Sequence, residues 1–219
     1  MAPVPKTAAP PASKHPDSPG GGCRFPVASQ NAAMTSFDCS AATSQLLVID
    51  IQERFQKPIP AIAADGDCAR ACGILIDGCR LLEVPTTVTE QYPQGLGATV
   101  PHLAERLAAA TCLAKTHFSC ADDPLVREHL AAQNRPNIVV CGIEAHVCVL
   151  ATVDDLQRRG WQVLVAADAI ASRHPEKVAP AIASMRQLGA LVLPVESILF
   201  RLQRQSGVGC FKELSRLVR

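Results

Sequence analysis

The chain has 219 residues, of which 48% are hydrophobic, and its 21 Lys and Arg against 20 Asp and Glu give a formal net charge of +1. This length and apolar content suffice for one substantial hydrophobic core and favour a single domain over two. The balanced charge predicts no basic surface for nucleic acid, and no apolar run approaches the roughly 20 residues that a membrane span needs.

The first 43 residues differ in composition from the rest of the chain. Pro, Ala, Ser and Gly dominate the stretch MAPVPKTAAPPASKHPDSPGGG, and large apolar side chains are too few to build a core. We therefore expect residues 1–43 to be a disordered tail and residues 44–219 to be the folded domain. We expect a cytoplasmic protein, with mitochondrial import by the tail as the alternative and Met34 as a second possible start.

From Gln45 onward, short apolar runs alternate with longer segments whose apolar residues recur at helical spacing. The runs predict six strands, at residues 46–51, 84–90, 112–116, 137–142, 161–168 and 190–195. The intervening segments predict helices at residues 67–82, 122–133, 145–159 and 175–188. This alternation predicts a three-layer α/β/α, Rossmann-like fold, in which helices cover both faces of a doubly wound, mainly parallel six-stranded sheet.

Three chemically matched residues come at the ends of predicted strands. Asp50 lies near the end of the first strand, Lys115 near the end of the third, and Cys148 just beyond the fourth. Ligands bind at the carboxyl ends of the strands in such sheets, so we expect these side chains to share one site. The segment CGIEAHVC, residues 141–148, leads from strand to helix, where unpaired amides favour an anion and bias the Cys148 thiol toward thiolate.

The chemistry of these three residues is that of a cysteine nucleophile. Asp50 can act as general base, and the ammonium of Lys115 can balance the charges of thiolate and carboxylate. The backbone amides of Glu144 and Cys148 are candidates to receive an oxyanion, with a thioester as the intermediate. Alternatively, Cys148 is an inert core thiol and Asp50 caps a turn, although a lysine inside a short apolar run is unusual.

Metal and cofactor sites are not expected. Cys68, Cys72 and Cys79 lie near one face of a predicted helix and are expected to pack in the core, and no CxxC pair or zinc-site spacing exists. Phosphate-binding and dinucleotide-binding glycine motifs are absent. The ten cysteines are expected to be reduced thiols. His117 and His146 lie near the predicted site, but we assign neither a catalytic role.

Several blocks of sequence together resemble one family, the isochorismatase-like cysteine hydrolases. The resemblance extends from about residue 44 to residue 211 and is closest to the group named isochorismatase domain-containing protein 2. The blocks are LLVIDIQERF, TEQYPQGLGATVP, AKTHFS, CGIEAHVCVLATVDDL, DAIASR and ESILFRL, in this order.

The resemblance implies an Asp-Lys-Cys triad at Asp50, Lys115 and Cys148, and a cis peptide bond between Ile143 and Glu144 that would direct the Glu144 amide at the oxyanion. It also implies a homo-oligomer and a hydrolase that cleaves an amide or related C–N bond of a small molecule. No cofactor is implied.

The chain departs from some branches of this family. Nicotinamide-deaminating members resemble one another in an Asp-x-His metal pair, and the corresponding residues here are Glu90, Gln91 and Tyr92. Isochorismatases proper lack the nucleophilic cysteine, so Cys148 argues against cleavage of a vinyl ether. Many relatives have Thr where this chain has Ala145, which is similar to the domain-containing-protein-2 group.

The substrate pocket is predicted from strand ends alone. The loop at residues 93–97 could close over the site, with Phe55 and Tyr92 as pocket walls; the alternative is an ordinary connection. Gln52, Glu90, Gln91 and Phe118 are further predicted pocket residues. The leading hypothesis is thus a small-molecule hydrolase. The alternatives are a binding or scaffold protein that has lost turnover and, less favoured, a nuclease.

Overall fold

Six strands form one sheet at the centre of the protein, and the computed structural model describes residues 38–219 around it. The strands run in the spatial order β3-β2-β1-β4-β5-β6, and every neighbouring pair is parallel. Their bounds are Ser44–Ile49 for β1, Thr86–Gln91 for β2, Thr111–Lys115 for β3, Asn137–Ile143 for β4, Gln162–Ala171 for β5 and Leu191–Leu193 for β6. The six predicted strands are all present, and the predicted fold class is confirmed.

Helices pack on both faces of this sheet. One face carries α1, α7 and α8, and the other carries α4, α5 and α6. The helices are α1 (Asp67–Leu81), α2 (Pro93–Leu96), α3 (Pro101–Ala104), α4 (Pro124–Ala132), α5 (Leu150–Arg158), α6 (Val178–Gln187), α7 (Val195–Gln203) and α8 (Phe211–Leu217). The helix predicted from residue 145 begins with a π-helical turn, Ala145–Val149, that leads into α5.

The continuous apolar strands follow from burial on both sides. In β1, Leu46 and Val48 belong to the core under α1 and α7, whereas Leu47 and Ile49 belong to the core under α4 to α6. Successive side chains of a strand point to opposite faces, so a strand covered on both faces must be apolar at every position. This is why these strands show no polar alternation in the sequence.

The order of the strands reverses between β1 and β4, and Gly142 allows these two strands to approach closely. Gly142 has φ +124°, and a Cβ atom at this position would lie 2.1 Å from the carbonyl oxygen of Ile49. Only glycine can adopt this conformation without a clash. The carboxyl ends of β1 and β4, which precede Asp50 and Cys148, therefore lie side by side at the point where such folds bind ligands.

The predicted tail lies mostly outside the described residues, which include only residues 38–43 of it. Residues 38–43 pack against the domain and are hydrogen-bonded to it. Cys39 is fully buried, and Asn137 Nδ2 donates to Asp38 O at 3.0 Å and to Thr43 Oγ1 at 2.9 Å. Among the helices of residues 38–219, none combines the length and the hydropathy needed to cross a membrane.

Candidate active site

Asp50 and Lys115 form a buried ion pair at the carboxyl edge of the sheet. Asp50 directly follows β1 and takes a left-handed conformation, with φ 54°, which aspartate tolerates better than most residues. Its amide donates to Thr89 O at 3.0 Å, and its Oδ2 lies 2.7 Å from Lys115 Nζ. The residues are only 1% and 2% exposed. The sequence prediction that these two residues come together agrees with this geometry.

The ammonium of Lys115 is surrounded by protein acceptors. Besides Asp50, it donates to Gln91 Oε1 at 2.6 Å and to the carbonyl oxygens of His117 and Phe118 at 3.1 and 3.3 Å. An ammonium has three N–H groups, and four acceptors already surround them. Lys115 is therefore placed to hold Asp50 and the loop after β3, rather than to offer a free donor to a ligand.

Cys148 completes the group from the other side of the switch point. It lies in the π-helical turn after β4, where the amides of Val147 and Val149 both donate to Glu144 O, at 3.0 and 3.2 Å. Its thiol interacts with the Asp50 carboxylate, and the residue is 7% exposed. Of the three residues, Cys148 thus has the greatest access to solvent, as a nucleophile requires.

The electrostatics of the site favour a neutral thiol at rest. Burial, followed by the negative charge of Asp50, raises the pKa of Cys148, and Lys115 opposes this only in part. Burial also raises the pKa of Asp50 in spite of Lys115. Burial acts to lower the pKa of Lys115, but Asp50, Cys120 and Cys148 together raise it. The expectation of a thiolate is therefore corrected, because a thiol beside a buried carboxylate keeps its proton until that carboxylate takes it.

Two predicted pocket residues, Gln52 and Gln91, form a hydrogen-bonded chain behind Lys115. Gln52 Oε1 accepts from the Gln91 amide at 2.8 Å, and Gln52 Nε2 donates to Gly97 O at 2.7 Å. Gln91 uses its Oε1 on Lys115 and its Nε2 on Thr116 O, at 2.7 Å. Both side chains are thereby held in one orientation. They connect the predicted lid, which contains α2, to Lys115.

The side chains of the other predicted pocket residues are placed in different surroundings. Glu90 faces away from Thr89 and Gln91 on β2, and its Oε1 accepts from Thr99 N and Oγ1 at 2.7 and 2.8 Å. Three aromatic residues are placed in different ways. Phe55 packs against the core, whereas Tyr92 and Phe118 are 55% and 62% exposed.

The predicted oxyanion segment contains the cis peptide bond that the resemblance implied. The bond between Ile143 and Glu144 is cis. The Glu144 carboxylate turns away to accept from the Arg173 amide at 3.0 Å, and it pairs with the Arg173 side chain at 3.5 Å. The main chain of Glu144 lies directly before the turn that carries Cys148.

The two histidines near the site have partners of their own. His117 Nδ1 lies 3.4 Å from Asp123 Oδ2, and His146 Nδ1 lies 2.9 Å from Ser172 Oγ. Among residues 38–219, no group of three or more His, Cys, Asp or Glu side chains is arranged to hold a metal ion. Cys68, Cys72 and Cys79 are buried in the core, as predicted.

Sequence reasoning missed Thr89 and Cys120. Thr89 Oγ1 donates to Asp50 Oδ1 at 2.8 Å and lies 3.7 Å from Cys120 Sγ, and both residues are fully buried. The sequence could have indicated Thr89, because side chains two residues apart on a strand share one face and Thr89 lies two residues before Gln91 on β2. The register between β1 and β2, which aligns Thr89 with Ile49, could not be read from the sequence.

Within residues 38–219, the largest cavities described do not include Asp50, Lys115 or Cys148 in their lining. Cavities of about 430, 360 and 450 Å³ lie elsewhere, lined for example by Arg80 and Arg135, by Asp65 and His102, and by His146 and Gln187. The cluster brings together a candidate nucleophile, a carboxylate and an ammonium, which is the combination expected of a catalytic site.

Comparison with known proteins gives one consistent result. The Isochorismatase domain family matches residues 44–197. Isochorismatase domain-containing protein 2 is 36% identical in Danio rerio, covering 82% of this chain and 88% of the relative, and 38% identical in Homo sapiens, covering 81% and 83%. A solved structure described as MAR1 ribonuclease from Caenorhabditis elegans is 39% identical, covers 82% of this chain and 91% of that one, and superposes with a TM-score of 0.74. Together with the six-stranded parallel sheet, these similarities show that the chain belongs to the isochorismatase family, whose members are hydrolases.

Proposed function

We propose that this protein is a cysteine hydrolase that cleaves an amide or related C–N bond of a small molecule through a thioester on Cys148. One observation carries the proposal: a buried carboxylate, paired with a buried ammonium, acts electrostatically on a slightly exposed thiol. Burying a charged pair is costly, and groups with pKa values perturbed by burial and a charged partner cluster at functional sites. The site lies at the switch point of the sheet, where this fold binds ligands.

In the proposed acylation step, Asp50 removes the proton of Cys148 as the sulfur attacks the carbonyl carbon. The carbonyl electron pair moves to oxygen, and the amides of Glu144 and Cys148 stabilise the resulting oxyanion. The oxyanion then collapses, the C–N bond breaks, and Asp50 returns its proton to the leaving nitrogen. An amine or ammonia departs, and the acyl group remains on sulfur as a thioester.

Water completes the proposed cycle. Asp50, again ionised, takes a proton from a water molecule while the water oxygen attacks the thioester carbon. Collapse of this second intermediate breaks the C–S bond, and the proton on Asp50 returns to sulfur. Lys115 stays charged throughout, because Asp50 and its other acceptors hold its proton, and it limits the rise of the Asp50 pKa.

Two rivals remain in the proposal. A binding or scaffold protein would have the fold without turnover. A nuclease is suggested by the name of the Caenorhabditis elegans relative, but the formal charge of +1 offers little attraction for a polyanion. We propose that the protein is a homo-oligomer that acts on a small molecule. The proposed reaction uses no cofactor, and the proposed partners include neither a membrane nor nucleic acid.

Trapping the acyl-enzyme tests the proposal. The full chain is incubated with amides, ureides and carbamoyl compounds, and intact-protein mass spectrometry searches for an adduct on Cys148, whose mass identifies the acyl group. Cys148→Ala should abolish both adduct and turnover, whereas Cys112→Ala, which removes an exposed thiol, should preserve both. Turnover of a confirmed substrate that survives Cys148→Ala would exclude the mechanism. Release of nucleotides from RNA by the Cys148→Ala protein would support the nuclease.

A further inference from the structure

Thr89 holds the oxygen of Asp50 that Lys115 does not. Thr89 Oγ1 lies 2.8 Å from Asp50 Oδ1, whereas Lys115 Nζ lies 2.7 Å from Asp50 Oδ2. The two contacts come from neighbouring strands, β2 and β3, whose register places Thr89 beside Leu113. Each oxygen of the carboxylate thus has its own donor, and the orientation of the Asp50 side chain is fixed.

The direction of the proton in this contact can be assigned. An ionised carboxylate only accepts, so the single hydroxyl proton of Thr89 points to Asp50. In the 3.7 Å contact between Thr89 Oγ1 and Cys120 Sγ, the Cys120 thiol must then be the hydrogen-bond donor. Burial raises the pKa of Cys120 to about 11, which keeps that thiol protonated. The backbone amide of Cys120 donates to Thr152 Oγ1 at 3.0 Å, which fixes the position of Cys120.

We propose that Thr89 is a positioning residue that keeps Asp50 ionised and correctly oriented to accept the proton of Cys148, and that Cys120 orients the Thr89 hydroxyl. The inference rests on the proposed function and deepens it, because it assigns the control of the general base to residues outside the triad. Thr89 touches neither the substrate carbonyl nor the sulfur in this role; it acts through Asp50.

A pH profile reports this role because few groups titrate around Asp50. Lys115 approaches from β3, Cys148 from the π-helical turn and Cys120 from the loop after β3. Lys115 and Cys120 retain their protons near neutral pH, since the pKa of each is raised. The acid limb of Cys148 reactivity therefore belongs to the coupled Asp50 and Cys148 pair. A lost donor to Asp50 must move that limb to higher pH.

The test is the pH dependence of Cys148 alkylation by iodoacetamide, measured by peptide mass spectrometry on the full chain. Thr89→Val removes the hydroxyl and preserves the branched shape. Thr87→Val is the matched control, because Thr87 is 2% exposed and lies two residues earlier on the same face of β2. Thr89→Ser restores the hydroxyl, and Thr89→Ala removes it in a smaller side chain, should the valine variant fail to fold.

We expect Thr89→Val and Thr89→Ala to move the acid limb upward by about one pH unit, whereas Thr87→Val and Thr89→Ser leave it near its original position. Profiles of Thr89→Val or Thr89→Ala that coincide with that of the unchanged protein would overturn the inference, as would an equal shift in Thr87→Val. If Cys148 of the unchanged protein shows no pH-dependent alkylation, the proposed function itself fails instead.

Discussion

Replacing Lys115 by methionine should leave a buried carboxylate without its counter-ion. Methionine has nearly the length of lysine, so the space at the end of β3 stays filled while the ammonium disappears. Asp50, which is 1% exposed, then loses the donor at 2.7 Å and retains Thr89 on its other oxygen. The substitution therefore tests how strongly the ion pair holds the site.

The expected cost is about 3–5 kcal/mol at neutral pH, the range for removing one partner of a buried ion pair, out of a total stability of about 5–15 kcal/mol. Loss of the ammonium also raises the Asp50 pKa further above its unfolded value of about 3.9. A group with a raised folded pKa contributes stability that is lost as pH rises through that pKa. The variant should hence be less destabilised near pH 5 than near pH 7.

Urea unfolding at the two pH values measures both effects. Lys57→Met is the matched control at an exposed lysine, and it should change stability by less than about 0.5 kcal/mol. The double variant Asp50→Asn with Lys115→Met should recover most of the loss, because no charge remains buried. A cost below about 1 kcal/mol for Lys115→Met, with no dependence on pH, would refute the reasoning.

Further predictions concern the frame of the site. Gly142→Ala should lower stability by several kcal/mol, since its Cβ would meet Ile49 O at 2.1 Å, whereas Gly160→Ala, with φ +90° and nothing within 4 Å, should cost only its backbone strain of about 1–2 kcal/mol. Thermal unfolding followed by circular dichroism compares them, and equal losses would contradict the close approach of β1 and β4. Asp123→Ala should lower the free energy of unfolding by about 1 kcal/mol, because Asp123 Oδ1 accepts from the first amides of α4 at 3.1 and 3.4 Å. An unchanged urea midpoint would show that this N-cap does not stabilise the protein.

The strands were predictable because burial on both faces makes them continuous apolar runs. The residues at which the strands end were less predictable. β5 continues to Ala171, beyond the predicted end at residue 168, and β6 stops at Leu193 because Pro194 caps α7. The helices α7 and α8 were not predicted, since their apolar residues complete a core whose other side is formed by α1, far away in the sequence.

The sequence predicted where the candidate residues lie but not their protonation state. Asp50 and Cys148 lie beyond strand ends and Lys115 is the last residue of β3, so the shared edge of a parallel sheet brings them together. The neutral thiol could not be foreseen, because it depends on burial and on the orientation of the Asp50 carboxylate. Gln91 was predicted to line a pocket, yet its side chain holds Lys115, a contact set by the register of β2 and β3.

The most direct test of the central claim is a competition between two thiols for iodoacetamide at neutral pH. Cys112 is an exposed residue, but partial desolvation of its thiol and the charge of Glu90 raise its pKa to about 11, whereas Cys148 is 7% exposed and has Asp50 as its proposed base. We predict that Cys148 reacts first in the full chain, and that Asp50→Asn, which removes the charge that raises the Cys148 pKa, leaves alkylation intact but abolishes turnover of a confirmed substrate because no base remains. Faster alkylation of Cys112, or turnover that survives Asp50→Asn, would contradict the account.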